Sequence, residues 1–138
     1  MTLRTKYQIE KLNTLLCQNV VAILNELNVC HRLNGEYITF PCPVHESRSN
    51  RSASVVISEY SYHYGTWSCW SRGCHERFGK TILGLIHGIQ TTQNKCTVSK
   101  QSVIKWALTF LGLKSLDDIV VDDENTLKKK NFYLQSII

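Results

Sequence analysis

Six cysteines and five histidines are spread through the 138 residues, and four of them fall into two close-spaced pairs. Cys42 and His45 form a Cys-x-x-His pair, opened by Pro41 and split by Pro43; Cys69 and Cys74 form a Cys-x-x-x-x-Cys pair. Each short pair can sit on one tight turn and donate two ligands from one side. Two such pairs, separated by the 23 residues between His45 and Cys69, suit a tetrahedral metal site. Three thiolates and an imidazole are donors that zinc accepts, so one zinc ion is the expected cofactor. His75 adjoins Cys74 and is a substitute fourth ligand, but thiolate is the softer donor and Gly73 permits a tight turn before Cys74. Cys17, Cys30 and Cys96 have no partner at ligand spacing and read as small core residues.

A closed set of four protein ligands leaves no position for an activated water, so the metal is expected to be structural. Its contribution to folding in small zinc modules is about 10–16 kcal/mol. Glu46 and Glu76 adjoin the ligand regions as conceivable bases, but the His-x-Glu with Pro-Cys-x-x-Cys pattern of zinc deaminases is absent. Gly79-Lys80-Thr81 looks like the end of a phosphate-binding loop, yet Cys74 stands where that loop needs its first glycine. Asp117, Asp118, Asp122, Asp123 and Glu124 are the one carboxylate cluster, and its place near the end of the sequence reads as a solvated acidic linker. No catalytic residue is assigned.

The excess of basic groups is uneven. Residues 1–114 carry a net charge of +7 and residues 115–138 a net charge of −2, within a total of +5. Between Glu46 and Lys80, Arg48, Arg51, Arg72, Arg77 and Lys80 are interleaved with Tyr60, Tyr62, Tyr64, Trp67 and Trp70. Cations that track phosphates and rings that stack on bases suit single-stranded nucleic acid. The plainer alternative is that the rings pack inward on a sheet and the arginines are merely solvated. The residues singled out for DNA contact are Arg51, Arg72, Arg77 and Lys80, with Trp70 and Tyr62 as stacking partners.

These side chains need elements to hold them. Ile9, Leu12, Leu16, Val20, Ile23 and Leu27 recur every three or four residues, which predicts an amphipathic helix over residues 6–29, broken near Cys17 to Asn19. Asn34-Gly35 is a turn signal, and Glu36 to Phe40 reads as a strand entering the first ligand pair. Ser52 to Ser58 is a second strand; Tyr60, Tyr62 and Tyr64 then alternate with polar residues. Gly65 turns the chain into Thr66 to Trp70, the strand that delivers Cys69. A short helix is predicted over Lys80 to Ile89, followed by a polar loop from Thr91 to Lys95. A second helix spans Lys100 to Leu111, with Ser99 as N-cap and Gly112 as stop. Ser115-Leu-Asp-Asp reads as the start of another short helix, ahead of an acidic run, the basic run Lys128 to Lys130 and a final apolar stretch. The expected layout is an N-terminal helical segment (1–30), a zinc-ribbon domain with its following helix (31–95), and a C-terminal helix with a linker-like tail (96–138). With 43% hydrophobic residues a real core is affordable, and no apolar run approaches the roughly 20 residues of a membrane span. The polar N-terminal stretch lacks the apolar segment of a signal peptide, so a soluble, cytoplasmic protein is expected.

The order helix, turn, strand, Cys42-Pro-Val-His, Arg51-Ser-Ala-Ser-Val, Trp67-Ser-Cys-Trp, then Cys74, Gly79 and Thr81-Ile-Leu-Gly-Leu-Ile, resembles the CHC2 zinc-binding domain of bacterial and phage DNA primases. The resemblance covers roughly residues 20–90. It departs from that family in the wider second pair, the longer loop before it and Lys80 where an acidic residue is common. The resemblance implies an α+β zinc ribbon: a small antiparallel sheet flanked by helices, with one zinc clamping two knuckles. It also implies a role in recognising single-stranded DNA template for RNA primer synthesis in DNA replication. Nucleotidyl transfer would then belong to a separate TOPRIM domain, for which this chain has no room, and the primase catalytic domain or the replicative helicase would be its partner. The rival expectation is a non-catalytic zinc-ribbon adaptor or regulator that binds a partner protein through its aromatic strand and C-terminal helix.

Overall fold

The computed structural model describes residues 2–120. The chain is α+β, with a four-stranded antiparallel sheet flanked by helices, as the sequence implies. The acidic residues 122–124, the basic run Lys128 to Lys130 and the final apolar stretch lie outside the described residues.

Helix α1 (Leu3–Cys17) starts where Thr2 Oγ1 accepts the Thr5 N–H, and helix α2 (Val20–Glu26) follows directly. The break falls where the periodicity places it. There the Asn19 amide donates to the Leu15 carbonyl, satisfying one of the orphan groups of a helix end. Strands β1 (Arg32–Asn34) and β2 (Tyr37–Phe40) form a hairpin around Asn34-Gly35; β1 has too little alternation to be read from sequence and is held by pairing with β2. Strands β3 (Ala53–Val56) and β4 (Trp67–Cys69) complete the sheet in the order β1-β2-β3-β4. The tyrosine alternation does not prolong a strand. Residues 59–65 are a chain of turns, with Tyr60 and Tyr62 fully exposed at their tip.

Strand period two divides the sheet into unlike faces. Ile38, Val55 and Trp67 lie in register, as do Phe40, Ala53 and Cys69, and all six are buried. Thr39, Ser54 and Ser68 form the matching row on the opposite face. The inner face shares one core with Leu12 and Leu16 of α1, Ile23 and Leu24 of α2, and Leu85, Ile86, Val103 and Ala107 of two later helices. Trp67 is its largest member. Its indole N–H donates to the Gly79 carbonyl at 2.7 Å, so its polar end is satisfied inside the core.

After the second ligand pair comes the short helix α3 (Cys74–Phe78), then α4 (Ile82–Asn94), capped by Thr81, and α5 (Lys100–Phe110), capped by Ser99. Helix α4 runs on through Thr91 to Asn94, where the sequence suggests a polar loop. The polar residues there have tertiary partners: Thr91 accepts from the Val98 N–H, Thr92 donates to the Val44 carbonyl, and Gln93 donates to the Leu27 carbonyl. These contacts outweigh local propensity. Helix α5 is not an appendage, since Val103, Ala107 and Leu108 enter the same core as the sheet. Ser115 opens a 3-10 turn (Leu116–Asp118), and the Asp118 carboxylate accepts from the Lys114 and Ser115 N–H groups, a capping duty for one member of the acidic cluster. Among the described residues no helix is long and apolar enough to cross a membrane.

Candidate metal centre

Cys42, His45, Cys69 and Cys74 converge, with their ligand atoms all within 4.8 Å of one another. His45 Nδ1 lies 3.2 Å from Cys74 Sγ and 3.6 Å from Cys69 Sγ. Two ligands of one tetrahedral zinc, a thiolate and an imidazole nitrogen, stand about 3.5 Å apart given the usual bond lengths. The donor set and its spacing therefore fit one metal ion.

The first knuckle leaves β2 through Pro41. The Cys42 N–H donates to Ser52 Oγ at 2.8 Å, and the Ser52 hydroxyl donates to the Ser49 carbonyl at 3.0 Å, so a buried serine fixes the first ligand's backbone. The Ser47 N–H returns to the Cys42 carbonyl, and Glu46 takes a left-handed φ of 51° to close the turn. Beneath it lies α4. A Cβ on Gly88 would come within 2.7 Å of Val44 Cγ2, and one on Gly84 would strike the carbonyls of Phe78 and Gly79. Those glycines and the Thr92 bond to Val44 let the first knuckle, and the Phe78-Gly79 segment that follows the second, sit directly on the helix. The sequence reading missed Ser52, Gly84, Gly88 and Thr92; the spacing Gly84, Gly88, Thr92 on one helical face was the available signal.

The second knuckle leaves β4 at Cys69. The Gly73 N–H donates to the Cys69 carbonyl at 3.1 Å, and Gly73 adopts φ 62°, which suits a residue without Cβ. Cys74 supplies the fourth donor and His75 does not. His75 Nδ1 accepts the Cys69 backbone N–H at 2.8 Å, and its ring stands edge-on to Trp67, so it braces the knuckle from outside. Burial pushes the Cys69 thiol up, but the N–H groups of Cys74 and Arg72 and the Ser71 hydroxyl outweigh it and bring its pKa down to about 6. Burial, reinforced by the neighbouring Cys69 and Cys42 thiols, drives Cys74 up to about 12; burial likewise raises Cys42. Of the three thiols Cys69 is thus the one its surroundings most favour as a thiolate, and metal binding releases the protons that the others carry.

Of the other cysteines, Cys17 is buried as expected for a core residue. Cys30 and Cys96 are exposed, which corrects the expectation for these two; they lie on the connections that follow α2 and α4, where no core face covers them.

The six residues singled out for DNA contact are all exposed, but they do not form one cluster. The Trp70 N–H donates to the Ser52 carbonyl, which places Arg51 beside the Trp70–Arg72 tip. The Trp70 ring is 68% exposed yet anchored, its indole N–H donating to Ser54 Oγ at 2.9 Å on the outer sheet face. Arg77 lies on α3 with its guanidinium 4.7 Å from the Phe78 ring centre, and Lys80 precedes the cap of α4. Tyr62 sits on the turn joining β3 to β4, at the end of the hairpin remote from Cys69. The aromatics thus divide, Trp67 inward and Trp70, Tyr60 and Tyr62 outward.

No protein-family model matches the chain, and no curated protein or solved structure is significantly similar to it.

Proposed function

We propose that the chain is a structural-zinc module that binds single-stranded DNA, and that it serves as the template-recognition part of a DNA primase. The zinc assignment rests on the donor set: three soft thiolates and an imidazole, closed around one point, favour that ion and leave no open position for chemistry. In this reading the zinc ties the turn after β2 to the end of β4 and the start of α3, and contributes folding free energy. Primer synthesis would be carried out by a separate catalytic domain, with that domain or a replicative helicase as partner, in the cytoplasm of a bacterium or of a phage-infected host.

The observation that carries the DNA reading is Trp70, an exposed indole held in place by Ser52 and Ser54 and flanked by Arg51 and Arg72. An exposed ring pinned in one orientation is ready to stack on a base without further ordering cost, and the adjacent guanidinium groups suit phosphates. The test is an NMR titration of the zinc-loaded chain with short single-stranded DNAs of differing sequence. Shifts centred on Arg51, Trp70 and Arg72 that vary with sequence and weaken with salt are expected. A folded, zinc-bearing protein whose spectrum no oligonucleotide moves would overturn the DNA reading and favour the adaptor that binds a partner protein.

A further inference from the structure

The two knuckles differ in length: two residues separate Cys42 from His45, and four separate Cys69 from Cys74. The longer one carries Ser71, whose hydroxyl oxygen lies 3.3 Å from His45 Nε2 and 3.8 Å from Cys69 Sγ. His45 meanwhile turns its other nitrogen, Nδ1, toward the Cys69 and Cys74 sulfurs. A neutral imidazole that ligates through one nitrogen carries its proton on the other, and that proton needs an acceptor to hold the ring in place. A hydroxyl can accept and donate at once. Among the described residues the Ser71 hydroxyl is the hydrogen-bond partner of Nε2.

We propose that Ser71 is the positioning residue of the metal centre, and that it holds His45 as an Nδ1 ligand by accepting the Nε2 proton while donating its own to Cys69 Sγ. The inference rests on the zinc reading above and deepens it. One side chain of the second knuckle would thereby lock a ligand of the first and stabilise a thiolate of its own. The extra length of the second knuckle then has a use, because it lets the chain double back over the imidazole edge before Cys74. Ser71 itself is exposed and has no core to support, so its loss should leave the fold intact.

The experiment is a long-range proton–nitrogen NMR spectrum of the zinc-loaded full chain, paired with zinc competition against a chelator for the wild type, Ser71→Ala and Ser71→Thr. The expected result is a His45 proton on Nε2, a metal-shifted Nδ1, a 10- to 100-fold loss of zinc affinity in Ser71→Ala, and recovery in Ser71→Thr, which keeps the hydroxyl. Coordination through Nε2 would overturn the proposal, and so would a Ser71→Ala variant with unchanged affinity and an unchanged His45 spectrum. Failure of the wild-type chain to take up one equivalent of zinc would instead overturn the metal reading itself, which keeps the two failures distinct.

Discussion

The first knuckle is an inward-facing device and the second an outward-facing one. Cys42 is fully buried and stands between two prolines, its backbone is bonded to Ser52, and Val44 rests on Gly88 and Thr92 of α4. The second knuckle is rooted just as firmly at Cys69, which is 2% exposed, but its tip of Trp70, Ser71 and Arg72 stands in solvent. The contrast teaches how one metal can serve two ends. The short knuckle fixes the ligand geometry against the core, and the long knuckle uses that fixed point to present an anchored indole, with Arg72 two residues on in the chain. A surface loop of the same composition without the cross-link would have to lose conformational freedom each time it met a partner.

Removing the metal should abolish the difference between the knuckles altogether. Chelation, or Cys42→Ser, should cost a large part of the roughly 10–16 kcal/mol a structural zinc contributes and unfold the sheet, as judged by circular dichroism and metal content. A metal-free chain that keeps native dispersion in its NMR spectrum would show that the helices hold the fold unaided. The next largest effect falls on the close packing against α4. Gly84→Ala should lower stability at the upper end of the roughly 1–3 kcal/mol that overpacking costs, because the added Cβ meets backbone carbonyls of Phe78 and Gly79 rather than a movable side chain. Gly88→Ala, whose Cβ meets the Val44 and Phe78 side chains, should cost less, and thermal melts of both variants rank the two. Trp70→Ala should leave the melting temperature nearly unchanged and weaken single-stranded DNA binding by about 1–3 kcal/mol, read by fluorescence anisotropy. Smallest is Arg72→Ala, which should reduce the salt slope of that binding by about one while zinc content stays at one equivalent. Loss of zinc in Arg72→Ala would show that the tip supports the knuckle instead of projecting from it.

Much of the metal centre was legible in the residues alone. Ligand pairs are set by short-range spacing, and a thiolate is a donor wherever it stands, so Cys42, His45, Cys69 and Cys74 could be named before any fold was known. Helix caps are equally local, and Ser99 and Ser115 hold the N–H groups a few residues ahead of them. The end of α4 was not legible in this way. Its polar last turn is helical because Thr92 and Gln93 reach carbonyls 48 and 66 residues away, and no window of sequence contains those partners. The same limit applied to the aromatics. Composition placed five rings among the arginines, but alternation along a strand gives only opposite faces, and it takes the packed core to make one face inner.

The sequence by itself determined the four donors, the two turns that carry them, the amphipathic helices and the basic, aromatic character of the segment between. These follow from side-chain chemistry and from spacings of a few residues. Only the tertiary structure decided that His75 braces the knuckle from outside, that Trp67 is buried while Trp70 stands exposed, and that Ser71 meets an imidazole 26 residues back along the chain. Those pairings depend on the sheet register and on how closely α4 lets the first knuckle and the Phe78-Gly79 segment approach, which are properties of the packed molecule and of no single stretch of it.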